Sequence, residues 1–168
     1  MHSIRSRYIL FGLLMALSVL GFLHRSKFRF RFSVAKMSVV STFVANSPSD
    51  FDGVLSQAEA ANAKHTYILF YAAVDPATGK SWCPDCVRAK PLIDAALAKQ
   101  TESTVLVVAN VERSSYRGNA EYPYRVDPRF ELRCVPTLIR WQNGAKVHSL
   151  NDLQCQNEDL IEEMFTSY

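Results

Sequence analysis

The residues with the most chemistry in this chain are two cysteines, Cys83 and Cys86, separated by Pro84 and Asp85. An apolar run and a turn precede them, and a stretch with helical spacing follows, so the first thiol falls at a helix N-terminus. There the free backbone N–H groups and the positive end of the helix dipole favour a thiolate. Cys86 lies about one turn further on, on the same face, within reach to close a disulfide. Such a pair suits thiol–disulfide exchange: Cys83 is the attacking nucleophile, and Cys86 resolves the mixed disulfide and expels the reduced product. Pro84 fits the first helical turn and stiffens it, and Asp85 places a charge beside the sulfurs. Both are expected to tune the redox potential. Lys80 and Arg88 add positive potential, while Asp85 works against it.

The competing chemistry is a four-cysteine zinc site built from Cys83, Cys86, Cys134 and Cys155. Their spacing, C-x2-C-x47-C-x20-C, lacks a second knuckle, and no metal is expected. Val135-Pro136 is a second element. A cis bond there would offer a backbone edge beside the cysteines, on which an extended substrate could pair. Trp82, Val135 and Pro136 are therefore the expected substrate-binding residues, with Trp82 also shielding the thiolate. Cys134, just before Val135, reads as a small buried strand residue; the alternative is a third thiol near the pair. Cys155, in a polar stretch, reads as a bystander. Gly79-Lys80-Ser81 imitates the end of a phosphate-binding loop, but Val74 stands where the first glycine would be. His65 and His148 have no ligand partner in the sequence and read as structural or solvated. Tyr116, Tyr122, Tyr124, Arg117 and Arg125 read chiefly as a loop packing on itself, with an interaction surface as the second reading.

The elements that must position these residues follow from periodicity. Residues 39–44 are β-branched and strand-like, and Ser49-x-x-Asp52 resembles a capping box before a helix with Phe51, Val54, Leu55 and Ala58 on one stripe. Residues 67–73 and 104–111 are continuous apolar runs of strand length, as expected for strands covered on both faces. The helix after Cys83 is expected to run to about Lys99, broken or kinked at Pro91. Residues 112–130 read as irregular. Residues 137–141 form a strand, Asn143-Gly144 a hairpin turn, and residues 146–149 the returning strand. A last helix has Leu160, Ile161, Met164 and Phe165 on its apolar face. The order β-α-β-α-β-loop-β-β-α predicts an α/β fold, a four- to five-stranded mixed sheet with helices on both faces.

Composition agrees with one compact domain. The chain has 168 residues, 48% hydrophobic and 21% charged, which excludes a disordered or fibrous protein. Its net charge of +3 conceals an asymmetry. Seven of the 19 basic residues precede position 37, whereas all 16 acidic residues follow position 49, so residues 37–168 carry about −4. No nucleic-acid partner is expected from such a surface. Residues 1–36 form a basic hydrophobic leader and residues 37–168 the folded domain. Within the leader, residues 8–23 are uncharged and would span roughly 24 Å as a helix, short of a ~30 Å hydrocarbon core. A signal anchor fits them best. Two basic residues before the run and five within the thirteen after it place the C-terminal domain in the cytosol by the positive-inside rule. A cleaved signal peptide, a mitochondrial presequence, and an upstream extension preceding a start at Met37 are the other readings.

Taken together, Trp82-Cys83-Pro84-Asp85-Cys86, Pro91 and Val135-Pro136-Thr137 before a hairpin resemble the thioredoxin superfamily over residues 38–168. With Asp75-Pro76-Ala77-Thr78-Gly79-Lys80-Ser81 and Arg125-Val126-Asp127-Pro128-Arg129-Phe130, the chain resembles more narrowly the Clot family, also called thioredoxin domain-containing protein 17. The resemblance implies a thioredoxin-like fold and a monomeric cytosolic disulfide reductase. It also implies preference for small or selected disulfides, such as cystine or particular proteins, and no bound cofactor. Electrons would come indirectly from NADPH through thioredoxin reductase, or from glutathione. Cys83 and Cys86 correspond to the family's redox pair, Pro84 and Asp85 to its potential-setting residues, and Pro136 to its cis-proline. If residues 1–36 are retained, the domain would be membrane-anchored through residues 8–23 or targeted to an organelle. Two departures from ordinary thioredoxins stand out. Nine residues, Val74 to Trp82, separate strand from cysteine, and the strand 67–73 holds no acid to accept a proton, leaving Asp75 or water for that task. A redox-regulated adaptor and a metal-binding module are the alternatives from other functional classes.

Overall fold

The computed structural model describes residues 40–166. The readings made for residues 8–23 and for Met37 lie outside them. Among the described residues no helix is long and apolar enough to cross a membrane. Strands β1 (Val40–Ala45), β2 (His65–Ala72), β5 (Thr104–Val111), β6 (Thr137–Gln142) and β7 (Ala145–Leu150) form one mixed sheet in the order β1-β5-β2-β6-β7. β1 and β2 flank β5 in parallel, while β6 and β7 add antiparallel at the far side. The two apolar runs are thus the central strands, buried by helices on both faces as their sequence requires. The expected fold class is borne out.

Helix α1 (Phe51–Ala60) connects β1 to β2, and α2 (Pro84–Ala98) connects β2 to β5. Two one-turn helices, α3 (Arg113–Tyr116) and α4 (Pro123–Val126), occupy the stretch expected to be irregular, and α5 (Glu158–Thr166) closes the chain. A short hairpin, β3 (Val74–Asp75) with β4 (Lys80–Ser81), fills the long link before the cysteines. It turns through Gly79 at φ +66°, a conformation that costs glycine nothing. Asn143 and Gly144, both at positive φ, make the β6–β7 turn as their sequence foretold.

Two local expectations are corrected. Ser49 does not cap α1: Asp50 is the N-cap residue, already in helical conformation and without a side-chain cap bond. The entry is held instead by backbone bonds from Asp50 N–H to Ser47 and Phe51 N–H to Pro48, and Ser49 Oγ bonds Ser47 Oγ. Pro91 does not end α2, which runs on to Ala98. Pro91 and Val87, the residue four earlier, both lie on the exposed face. The missing backbone bond therefore leaves a solvent-facing carbonyl rather than a buried one.

The core above the helix α1 face is aromatic. Phe70 meets Tyr124 at 4.9 Å, Phe130 at 5.1 Å and Phe51 at 6.0 Å between ring centroids. Most of these contacts are edge-to-face, the geometry aromatic quadrupoles favour. Tyr116, Tyr122 and Tyr124 are all buried, with Tyr122 edge-on to both others. Three residues of the Tyr/Arg cluster therefore pack the loop between β5 and β6. Burial pushes the Tyr122 hydroxyl up to about 12.

Candidate site at the start of the second long helix

Cys83 is the N-cap residue of α2, in extended conformation, with Pro84 at the first helical position. Its Sγ accepts the backbone N–H of Cys86 at 3.4 Å. A thiol at that place does what a serine or aspartate does at other helix starts: it meets a donor that has no partner within the helix. The same contact puts the two cysteines on one turn. Cys83 is 6% exposed and Cys86 is fully buried. Cys86 Sγ also receives the Ala72 N–H at 3.5 Å, from the last residue of the central strand. Burial, followed by the neighbouring Cys83 and Asp85, pushes the Cys86 thiol well above its ordinary range despite that N–H.

The far side of Cys83 faces the loop before β6. Its Sγ donates to the carbonyl of Val135 at 3.3 Å, and the Val135–Pro136 bond is cis. Three segments distant in sequence thus meet at the two sulfurs: the end of β2 at Cys86, the Val135-Pro136 loop at Cys83, and the start of α2, which carries both. Trp82 is half-buried beside them, its Nε1 donating to Val111 at 2.9 Å and its ring 6.1 Å from Tyr116. Arg117 lies over the Trp82 ring at 5.9 Å.

Asp85 does not stand alone beside the sulfurs. Its Oδ1 accepts from Arg88 Nη2 at 2.5 Å and from Gln156 Nε2 at 3.1 Å, and Arg88 Nε donates to Gln156 Oε1 at 2.6 Å. Arg88 therefore acts mainly on the carboxylate. Gln156, in the 3-10 turn Gln154–Gln156, escapes a sequence reading because nothing local marks a glutamine 71 positions away as a partner. Ser81 escapes as well, standing out in sequence only in a failed phosphate-loop pattern and as the last residue of the Asp75–Ser81 motif. Its Oγ donates to the Ala72 carbonyl at 3.0 Å and accepts the Cys83 N–H at 3.3 Å.

The remaining sequence candidates are placed as follows. Asp75 is exposed on the hairpin and accepts the Ala77 N–H in its own turn. Cys134 is half-buried in a bend rather than in a strand, its carbonyl accepting from Thr137 Oγ1, and burial raises its thiol. Cys155 is fully buried despite its polar surroundings in sequence, donates to the Leu150 carbonyl, and is pushed up to about 12 by burial. Among the described residues no three His, Cys, Asp or Glu side chains gather as a metal ion would need. His65 is buried and bonds Glu102, whereas His148 is exposed on β7. Trp141 is buried and bonds Glu59.

Comparison with known proteins agrees with this geometry. Residues 44–167 match the thioredoxin domain of the family described as thioredoxin domain-containing protein 17-like. The thioredoxin-like protein Clot of Arabidopsis thaliana is 41% identical over 119 residues, 68% of this chain and 88% of that protein. Thioredoxin domain-containing protein 17 of Homo sapiens is 32% identical over 126 residues, 71% of this chain and 93% of that protein. In structure, a mutant thioredoxin from Halobacterium salinarum superposes with a TM-score of 0.50 at 16% identity, covering 76% of this chain and 90% of that one; this supports the fold alone. By fold, motif and these matches the chain belongs to the thioredoxin domain-containing protein 17-like family, whose thioredoxin domain serves thiol–disulfide redox chemistry.

Proposed function

We propose that this protein is a disulfide reductase working by thiol–disulfide exchange at Cys83 and Cys86. The observation that carries the reading is the position of the Cys83 sulfur. It sits at a helix N-cap with the Cys86 N–H on one side and the Val135 carbonyl on the other. An extended substrate lying along Val135 and Pro136, flanked by Trp82, would present its disulfide to Cys83.

The electron balance closes on the protein's own thiols. The Cys83 thiolate attacks one substrate sulfur, forming a mixed disulfide and releasing the other sulfur as a thiolate, which takes up a proton. Cys86 then loses its proton and attacks Cys83 Sγ, releasing the second thiol and leaving a Cys83–Cys86 disulfide. Two electrons return from NADPH through a thioredoxin reductase, or from two glutathione thiols, with no cofactor held by the domain. Pro84 and Asp85 set the potential. The exposed β3–β4 hairpin runs directly into Trp82 and Cys83, and this extra segment ahead of the pair is what supports a preference for small or selected disulfides. The leader's charge count supports a cytosolic position for the domain.

The test is turnover of the full chain with NADPH and thioredoxin reductase, or with glutathione and its reductase, using cystine and insulin in parallel as oxidants. Cystine reduction that vanishes in Cys83→Ser, with weaker insulin reduction, is the expected result. No thiol-dependent turnover with either reductant would overturn it and favour a binding role for the fold.

A further inference from the structure

One side chain touches the backbone supports of both sulfurs while taking no part in the exchange itself. Ser81 Oγ accepts the Cys83 N–H and donates to the Ala72 carbonyl. The N–H of the same Ala72 is directed at Cys86 Sγ. A continuous frame therefore runs from Cys83 N–H through Ser81 Oγ and the Ala72 residue to the Cys86 sulfur. Ala72 is fully buried and pairs with Val111 in the middle of the sheet, which makes it the fixed point. Ser81 closes the hairpin, whose residues 74–80 are exposed.

We infer that Ser81 is a positioning residue that sets the equilibrium between the dithiol and disulfide forms of Cys83 and Cys86; this rests on the redox reading proposed above. Closing a disulfide needs the two Cβ atoms about 3.8 Å apart and a narrow dihedral range. Freedom removed from the Cys83 backbone beforehand raises the effective concentration of one thiol at the other. Cys86 is already fixed by burial and by Ala72. Ser81 does the same for the Cys83 N–H, so the nucleophile is held at its backbone as well as at its sulfur, which the Val135 carbonyl and the Cys86 N–H engage.

The measured reaction is balanced: protein dithiol plus oxidised glutathione gives protein disulfide plus two glutathione thiols. The full chain is equilibrated in glutathione buffers of graded ratio, and the oxidised fraction is read by mass after alkylation. Ser81→Ala is expected to move the equilibrium constant about fivefold toward the dithiol, because closing the disulfide would then have to order the Cys83 backbone that the hydroxyl holds in place beforehand. Ser81→Thr, which keeps the hydroxyl, is expected to stay near wild type, and Ser81→Val, its isosteric counterpart, to follow Ser81→Ala. The Thr and Val pair separates the hydroxyl from shape and from folding, since the two differ only in that group. An equilibrium for Ser81→Ala within twofold of wild type, or equal shifts for the Thr and Val variants, overturns the inference. If the wild-type chain forms no Cys83–Cys86 disulfide in any buffer, the redox reading itself falls and this inference with it.

Discussion

The burial of Cys86 makes a quantitative demand on the second step of the exchange. Its thiol titrates well above its ordinary value, and the largest cause is desolvation rather than the neighbouring Cys83. That distinction matters because Cys83 loses its charge once it is bound in a mixed disulfide, whereas the burial remains. The reacting form of Cys86 is the thiolate. Below its pKa the thiolate fraction rises tenfold for each pH unit, so resolution should accelerate by about tenfold per unit from pH 6 to pH 9. An aromatic disulfide that releases one coloured thiolate at each exchange separates the steps. The first burst reports attack by Cys83, and the second, slower phase reports resolution by Cys86. In stopped-flow measurements the second phase should climb steadily with pH, and Cys86→Ser should retain the first phase alone. A second phase that levels off near pH 7 would refute the reasoning. It would mean that the mixed disulfide provides Cys86 with a proton acceptor or a stabilising charge that the burial argument omits.

Three further outcomes follow from the same structure. Asp85→Asn removes a carboxylate that raises the Cys86 thiol; because its side chain is about a third exposed and shared with Arg88 and Gln156, resolution at pH 7 should quicken only about two- to threefold, read from the same second phase. Phe70→Ala empties the centre of the aromatic cluster and should cost roughly 3–5 kcal/mol in urea denaturation, against under 1 kcal/mol for an exposed-site control such as Lys80→Ala. Cys86, Cys155 and Tyr122 all have folded-state values raised by burial. For such groups the unfolded chain releases its protons first, so stability should hold to about pH 8.5 and then decline toward pH 12. Melting temperatures across that range check the sign, and an alkaline plateau would contradict it.

Much of this molecule is legible along the chain because its signals are local. Apolar runs of strand length, the Asn143-Gly144 turn and the amphipathic last helix each follow from side chains within a few residues of one another. The placement of Cys83 at a helix start belongs to the same class, since a cysteine followed by proline and a helical stripe fixes its own N-cap. Where local patterns mislead, a neighbouring backbone answers first. Ser49 is not needed as a cap because the preceding turn already serves the helix donors, and Pro91 does not break α2 because its lost bond faces solvent.

Tertiary structure alone decided what surrounds the sulfurs. Sequence places Cys83 and Cys86 one turn apart, but not that Val135 lends a carbonyl from 52 positions away. Nor does it show that Ala72 and Ser81 join the supports of both thiols, that Gln156 binds Asp85, or that Cys155 is buried within a polar stretch. The physical reason is common to all of these. A hydrogen bond between distant residues leaves no periodicity in the sequence, and burial is settled by which elements the sheet order brings over a residue. The chain by itself determined the Cys83–Cys86 spacing and its helix; the packing of β2, the hairpin and the loop before β6 determined the environment of that pair.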